Sequence, residues 1–426
     1  EMNKEMFDQL FAGKKMLQAL DAAGRVQAVQ DSDACFPEFS NQDSFRMPIN
    51  SAHMLSSLDL QSSKIMRSAT RPMVVPCCSN ESSPPFCFNV LLKREDIRMD
   101  AIIMNTIRYM RRLLETKFET DTFLPLPNNV LRSDGSLCRD HDQKDGDDKF
   151  GIVCYRCVPT SNVSGVIEMV PNSTTLDDVA NKYDMKLLSF IRSRNSPNLD
   201  AEIIRQRFVR STAACSVITY LLGIGDRHLE NIMLTKDGHL FHIDFGYVMG
   251  ADPKKSLIGS PSMRITNDMV EALGGVESEQ YKKFQLLCTD IFNFLRQQYT
   301  TIALLLMPLT FIGTCTVMDL EREIQMRFVP TESKSQANIQ LSNTLNDSRG
   351  SLYVPSVVDI MHSSGKAASS LLTEPVMAIA SLIPKSITNL ASSSSSSSSQ
   401  TEKTAFESTD GSASRKNSNG TKTSEQ

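Results

Sequence analysis

The stretch Gly223-Ile224-Gly225-Asp226-Arg227-His228-Leu229-Glu230-Asn231-Ile232-Met233-Leu234, with a turn at Asp237-Gly238 and then Leu240-Phe241-His242-Ile243-Asp244-Phe245-Gly246, decides the reading of this chain. Two short apolar runs flank the Asp-Gly turn, which is the pattern of a β-hairpin. Asn231 stands at the entry of that hairpin and Asp244 at its exit, so two hard oxygen donors are brought to one point. Such donors suit magnesium, which takes one or two protein groups, keeps some water and bridges nucleotide phosphates. Phosphoryl transfer asks a protein mainly to position reactants and supply cations, because charge spreads over the oxygens of the moving group.

Asp226 precedes Asn231 by five positions. The same spacing separates the catalytic Asp from the metal-binding Asn in the H-R-D-L-x-x-x-N motif of protein kinases, where Asp-Phe-Gly supplies the second ligand. A lone Asp-Phe-Gly or Asp-Gly turn says little; in order, after a helical run, they are specific. Here Asp226-Arg227-His228 reverses the His-Arg-Asp order, and Gly-x-Gly-Asp-Arg-His-x-x-Asn with His-Ile-Asp-Phe-Gly resembles the phosphatidylinositol 3- and 4-kinases and their large protein-kinase relatives. Val217-Ile218-Thr219-Tyr220, Tyr247-Val248-Met249-Gly250-Ala251-Asp252-Pro253-Lys254, Met269-Val270-Glu271-Ala272-Leu273-Gly274-Gly275 and Ser278-Glu279-Gln280-Tyr281 are similar to class III phosphatidylinositol 3-kinases. The resemblance covers about residues 63–307. It implies an α+β, bilobal protein-kinase-like fold with a small strand-rich N-lobe and a larger helical C-lobe.

Composition sets the outer bounds. The 426 residues are 40% hydrophobic and 22% charged with a net charge of −4, which excludes a disordered chain and a basic domain with nucleic acid as partner. Ten cysteines without a secretory signal at Glu1 predict free thiols in a reducing, cytoplasmic setting. Cys154-x-x-Cys157 is a single pair, expected to be plain strand cysteines, and Asn80, Asn162 and Asn172 open glycosylation sequons that no such signal supports. Residues 302–318 form the one long apolar run, broken by Pro308 and Gly313. It falls short of the roughly twenty residues of a membrane span and predicts a buried helix pair.

Helical spacing within residues 3–30 precedes a linker, and 1–62 reads as a remnant helical region of a longer protein. The N-lobe is expected over 63–170. Its predicted elements are two strands around 73–75 and 86–92, a helix over 100–115 with Arg108, Arg111 and Arg112 on a solvated face, a surface loop over 133–149, and strands at 151–158 and 165–170. Helices at 199–222, 267–273 and 278–306 place the C-lobe at 171–384, with residues 351–364 as a candidate terminal helix. Beyond that, 385–426 holds eight consecutive serines from Ser392 to Ser399 and reads as a disordered Ser-rich tail.

The resemblance also implies a site. Lys93 matches the lysine that contacts the nucleotide phosphates, and Asp100 the acidic position opening the next helix. Arg67-Ser68-Ala69-Thr70-Arg71-Pro72 resembles the loop over the ATP phosphates, with Ser68 as the contact, and Glu168, Met169 and Val170 fall at the interlobe hinge that meets adenine. Asn231 and Asp244 hold Mg2+, with Mn2+ as the substitute ion. Asp226 is the counterpart of the protein-kinase base, His228 accepts the inositol hydroxyl proton or stabilises the transferring charge, and Arg227 orients the loop. Residues 244–266 face the lipid headgroup through Lys254, Lys255 and Arg264. Each headgroup phosphate needs charge-assisted partners, so this modest basicity fits unphosphorylated phosphatidylinositol.

The expected reaction is transfer of the ATP γ-phosphate to the 3-hydroxyl, giving phosphatidylinositol 3-phosphate. Expected partners are a membrane met from outside, a protein-kinase-like regulatory subunit and members of endosomal or autophagic complexes. Three alternatives stand beside it: a phosphatidylinositol 4-kinase, a related protein-serine kinase and an inactive scaffold. Residues 251–254 favour the 3-kinase, residues 247–250 disfavour the protein kinase, and the presence of Lys93, Asp226, Asn231 and Asp244 disfavours the scaffold.

Overall fold

A computed structural model describes residues 45–46, 54–55, 57–58, 62–66, 70, 72–79, 86–118, 150–195, 200–252 and 263–350. All of them belong to the first of the chain's two units, Glu1–Ser364. The expected features at residues 3–30, Ser68, the 133–149 loop, Lys254, Lys255, the 351–364 helix and the serine tail lie outside the described residues.

Strands dominate the first part. Phe45–Arg46 (β1) pairs with Met54–Leu55 (β2), apart from the main sheet. That sheet comprises Ser57–Leu58 (β3), Lys64–Ile65 (β4), Met73–Ser79 (β5), Phe86–Lys93 (β6), Cys157–Pro159 (β7) and Gly165–Glu168 (β8), in the order β3-β5-β6-β8-β7 with β4 also on β5. All its pairings are antiparallel. Period-two alternation makes this sheet one-sided: Met73, Val75 and Cys77 of β5 and Val90 and Leu92 of β6 are buried. Pro76 sits in β5 between the residues that pair with β4 and those that pair with β3, where a missing N–H breaks no ladder to either.

Three expectations change here. Cys78 and Cys87 stand directly opposite each other across β5 and β6, with Cα atoms 4.2 Å apart, and are joined by a disulfide rather than left as free thiols. Cys77, Cys157, Cys288 and Cys315 remain thiols. The strand expected at 151–158 shrinks to β7. Arg111 Nη1 donates to the Ile152 carbonyl at 3.4 Å and Arg108 Nη2 to the Tyr155 carbonyl at 3.2 Å, so these carbonyls bond to guanidinium groups. These arginines lie on Arg98–Lys117 (α1), so that face is not simply solvated; Arg112 alone of the three is exposed.

Helices dominate the remainder. Leu187–Arg194 (α2) and Ala201–Leu221 (α3) come first, and Asp200 caps α3 by accepting from the Glu202 N–H at 2.9 Å. From Arg207 to Leu221 every residue of α3 is buried, which makes it the central helix. Glu279–Leu295 packs along it, preceded by the short helix Asn267–Ala272 (α4) and hence α5. Ser173–Thr175 (β9), Ile232–Thr235 (β10) and Leu240–His242 (β11) form a separate antiparallel sheet, with the β10–β11 hairpin as expected.

The apolar run 302–318 becomes parts of Tyr299–Leu306 (α6), Pro308–Phe311 (α7) and Val317–Phe328 (α8), before Lys334–Gly350 (α9) closes the described chain. The buried helix pair holds only in part. Ile302, Leu306 and Leu309 are buried, but Leu304, Phe311 and Met318 are 66%, 83% and 80% exposed. Pro308 starts α7 and the positive φ of Gly313 follows its end, so the run cannot stay on one buried stripe. No helix among the described residues is long and apolar enough to cross a membrane.

Candidate active site

The backbone builds the site before any side chain does. After α3, Gly223 takes φ +58, and a loop leads to a single turn at Leu229–Asn231 and then to β10. Asp226 and Asp244 both adopt left-handed backbone, at φ 52 and 61. Aspartate tolerates that conformation better than most residues, and such outliers concentrate where geometry is constrained by the surroundings. The register Ile232↔His242, continued by the bond from the Ile243 N–H to the Asn231 carbonyl at 3.1 Å, places Asn231 beside the segment that carries Asp244.

Asn231 is buried, and its Nδ2 donates to the Asp226 carbonyl at 3.0 Å. That bond fixes the amide and turns its Oδ1 the other way, as an acceptor suited to a cation. The Asp244 side chain is 48% exposed; its Oδ2 is 3.7 Å from Lys93 Nζ and its Oδ1 accepts from the Gly246 N–H at 3.3 Å. Among the described residues no three His, Cys, Asp or Glu side chains gather to hold a metal. An amide oxygen and one open carboxylate nonetheless fit an ion such as magnesium, which completes its shell with water and phosphate.

Lys93 ends β6, with Nζ 2.7 Å from Glu95. Burial favours its neutral form, but Asp244, Asp100 and Glu95 outweigh that and raise its pKa, so it stays an ammonium. Asp100, 5% exposed in the first turn of α1, accepts from the Phe245 N–H at 3.1 Å. Burial pushes its pKa up to about 6, with Lys93 pulling the other way. Asp100 therefore ties the helix to the Asp-Phe-Gly segment.

Tyr155 was not legible in the sequence. It is buried, its hydroxyl is pushed well above the usual tyrosine range chiefly by burial, and it feels the charges of Asp100, Arg227 and Asp244. No motif marks it; only the folded proximity does.

Arg227 acts as the clamp of the loop. Its Nε donates to the Gly225 carbonyl at 2.8 Å, Nη1 to those of Ile243 at 2.7 Å and Asn231 at 3.5 Å, and Nη2 to that of Asp244. The guanidinium lies 5.9 Å from the centre of the Phe245 ring. The oxygens that accept from it are all backbone carbonyls. His228 is buried with Nε2 3.8 Å from Asp226 Oδ2, and the Asp226 N–H donates to Asp252 Oδ2 at 3.1 Å.

At the expected hinge the three residues do not behave alike. The Met169 N–H donates to the Asn89 carbonyl at 3.1 Å and the Glu168 N–H to the Arg156 carbonyl at 2.9 Å. Successive residues of extended chain point their groups to opposite sides. The Met169 N–H thus faces β6, while the Glu168 carbonyl of the same peptide faces the other edge, beyond the end of β7. Arg264 differs from its expected exposure to the headgroup: it is 8% exposed, so its guanidinium is packed into the protein.

Two histidines on the hairpin flanked by Asn231 and Asp244 predict an acid sensitivity. Burial, helped by Arg227, lowers the pKa of His242 to about 3, and burial with Arg207 lowers that of His239 to about 4. An unfolded histidine binds its proton near pH 6.5, so below that the unfolded state holds more protons than the fold. Stability is expected to be whole above about pH 6.5 and to fall as pH drops toward 3, by up to about 1.4 kcal/mol per pH unit for each histidine. Thermal unfolding between pH 7 and 4 checks this, and His242→Gln should flatten the slope.

A strand-rich first part, a helix-rich second part and an Asp-Asn-Asp-Lys constellation where they meet define the class, a kinase-like α+β protein. The signature described as phosphatidylinositol 3- and 4-kinase matches residues 88–310, just over half of the chain, and the chain belongs to that family. It is 36% identical over 220 residues to phosphatidylinositol 3-kinase pik3 of Schizosaccharomyces pombe, covering 49% of this chain and 27% of the relative. It is 28% identical over 329 residues to phosphatidylinositol 3-kinase VPS34 of Saccharomyces cerevisiae, covering 74% and 33%. Against phosphatidylinositol 3-kinase VPS34 of Arabidopsis thaliana the identity is 26% over 330 residues, covering 75% and 36%. The chain thus spans roughly a third of the length of these relatives.

Proposed function

We propose that this chain is a lipid kinase that transfers the γ-phosphate of ATP to the 3-hydroxyl of phosphatidylinositol, giving phosphatidylinositol 3-phosphate. The observation that carries the reading is the meeting of Lys93 with Asp244, 3.7 Å apart from distant parts of the chain, at the end of the hairpin that Asn231 and Asp244 flank, in a member of this family. In this reading the fold is bilobal, with residues 63–170 as the smaller lobe and 171–384 as the larger.

Adenine lies along the edge offered by the Glu168 carbonyl, and the phosphates meet Lys93 and the loop bearing Ser68. Asn231 and Asp244 hold magnesium, or manganese in its place, which supplies positive charge to the transferring phosphoryl group. Asp226 takes the proton of the attacking hydroxyl, with His228 beside it to share or stabilise that charge. Arg227 and Asp100 position the two loops. Lys254 and Lys255 face the inositol phosphate. The substrate places the protein peripherally on endosomal or autophagic membranes, with a protein-kinase-like regulatory subunit and other complex members as partners.

The test is a kinase assay with magnesium ATP and phosphatidylinositol vesicles, the products being separated by chromatography. A 3-phosphate is expected. A 4-phosphate would overturn the regiochemistry and keep the phosphotransfer, and no product from the full chain would overturn the reading as a lipid kinase.

A further inference from the structure

Glu323 and Arg327 lie one turn apart on α8, with Arg327 Nε 2.9 Å from Glu323 Oε2 and both residues under 9% exposed. Arg327 Nη1 also donates to the Tyr220 carbonyl, at 2.9 Å, in the last turn of α3. Burying two charges costs desolvation that apolar packing would not, so the pair is a poor device for stability alone.

Its surroundings give it another use. Arg327 Nε lies 2.8 Å from where a Cβ on Gly223 would stand, and Glu323 Oε2 lies 2.6 Å from the corresponding point at Gly250. Both glycines have positive φ, +58 and +77. Gly223 opens the segment that carries Asp226, and Gly250 follows Asp244 by six residues. These two segments are joined by bonds from the Gly250 N–H to the Gly223 carbonyl at 2.9 Å, from the Met249 N–H to the Leu222 carbonyl at 3.0 Å and from the Gly225 N–H to the Tyr247 carbonyl at 2.9 Å. The ion pair therefore packs against both segments where they are zipped together, from a helix far along the chain.

We propose that the Glu323–Arg327 pair is a positioning device for phosphotransfer, holding the Gly223 and Gly250 backbones in register and so setting Asp226 against Asp244. The inference rests on the site reading given above. Lysine at 327 keeps the charge but, as a single point donor, cannot serve Glu323 and the Tyr220 carbonyl with a guanidinium's geometry. Small misplacements originating away from the chemistry cost up to about 100-fold in rate.

The experiment compares the full-chain wild type with Arg327→Lys and the milder Glu323→Gln. It measures kcat and KM for ATP per folded molecule, together with amide hydrogen exchange by mass spectrometry. In Arg327→Lys, kcat is expected to fall about 10- to 100-fold with KM for ATP within about twofold. The Gly225, Met249 and Gly250 amides are expected to exchange about tenfold faster, while those of β5 and β6 are unchanged. Glu323→Gln is expected to do the same to a smaller extent. Wild-type kcat per folded molecule in both variants, or unchanged exchange at those amides, overturns the proposal. A wild type that makes no lipid product overturns the functional reading instead, and the exchange measurement still decides whether the pair holds the two segments.

Discussion

Asp244→Asn is expected to lower turnover by about 1,000-fold or more while leaving the urea-unfolding midpoint nearly unchanged. The Asp244 carboxylate is half exposed and touches Lys93 and the Gly246 N–H rather than the apolar core, so removing its charge takes away a cation ligand and little packing. Asparagine is the informative replacement because residue 244 has φ 61. Asparagine adopts left-handed backbone readily, whereas alanine there adds strain of about 1 kcal/mol. Asp244→Ala should therefore lose the same activity with a slightly lower midpoint. Loss of the charge also removes one of the influences that raise the pKa of Asp100 and of Lys93. Full turnover in Asp244→Asn would refute the assignment of the metal position.

The residues of that constellation were legible because phosphotransfer fixes both their types and their spacing. Asn231 and Asp244 flank one short hairpin and Asp226 lies in the loop leading into it, so chain connectivity alone makes them neighbours. Lys93 was legible only through family resemblance, since nothing local to a strand end announces that its Nζ will stand 3.7 Å from a carboxylate about 150 residues away. Tyr155 carried no signal for the same reason: its neighbours Asp100 and Asp244 come from other parts of the chain. Helices with strong cap or periodic signals, such as α3 and α5, fell within a residue or two of expectation at their N-termini. The failures share a cause. Local pattern could not show that Arg108 and Arg111 would bond to the carbonyls of 152 and 155, nor that Cys78 and Cys87 would meet across a hairpin. Likewise the exposed Leu304, Phe311 and Met318 depend on how three short helices turn against their neighbours, which apolar composition does not encode.

Arg227→Lys is expected to fail in a different way from Asp244→Asn, with turnover down by about 100-fold or more and stability lower by about 2–4 kcal/mol. The guanidinium spreads its donors over the carbonyls of Gly225, Asn231, Ile243 and Asp244, two on the loop that carries Asp226 and two on the strand exit that carries the second ligand. Bonds from a charged donor contribute about 1.5–3 kcal/mol each, and a lysine ammonium reaches one or two of these oxygens at best. Conserving the charge therefore does not conserve the geometry. Burial tends to lower the arginine's pKa and the carboxylates of Asp244 and Asp226 oppose that, so the clamp stays charged partly because of the groups it positions. Removing it loosens both loops at once, and the two losses should not separate in an unfolding titration run alongside the kinase assay. Arg227→Met, which leaves all four carbonyls without that donor, should be less stable again. A lysine variant with wild-type turnover would mean that the hairpin holds Asp226 and Asp244 in place by its backbone bonds alone.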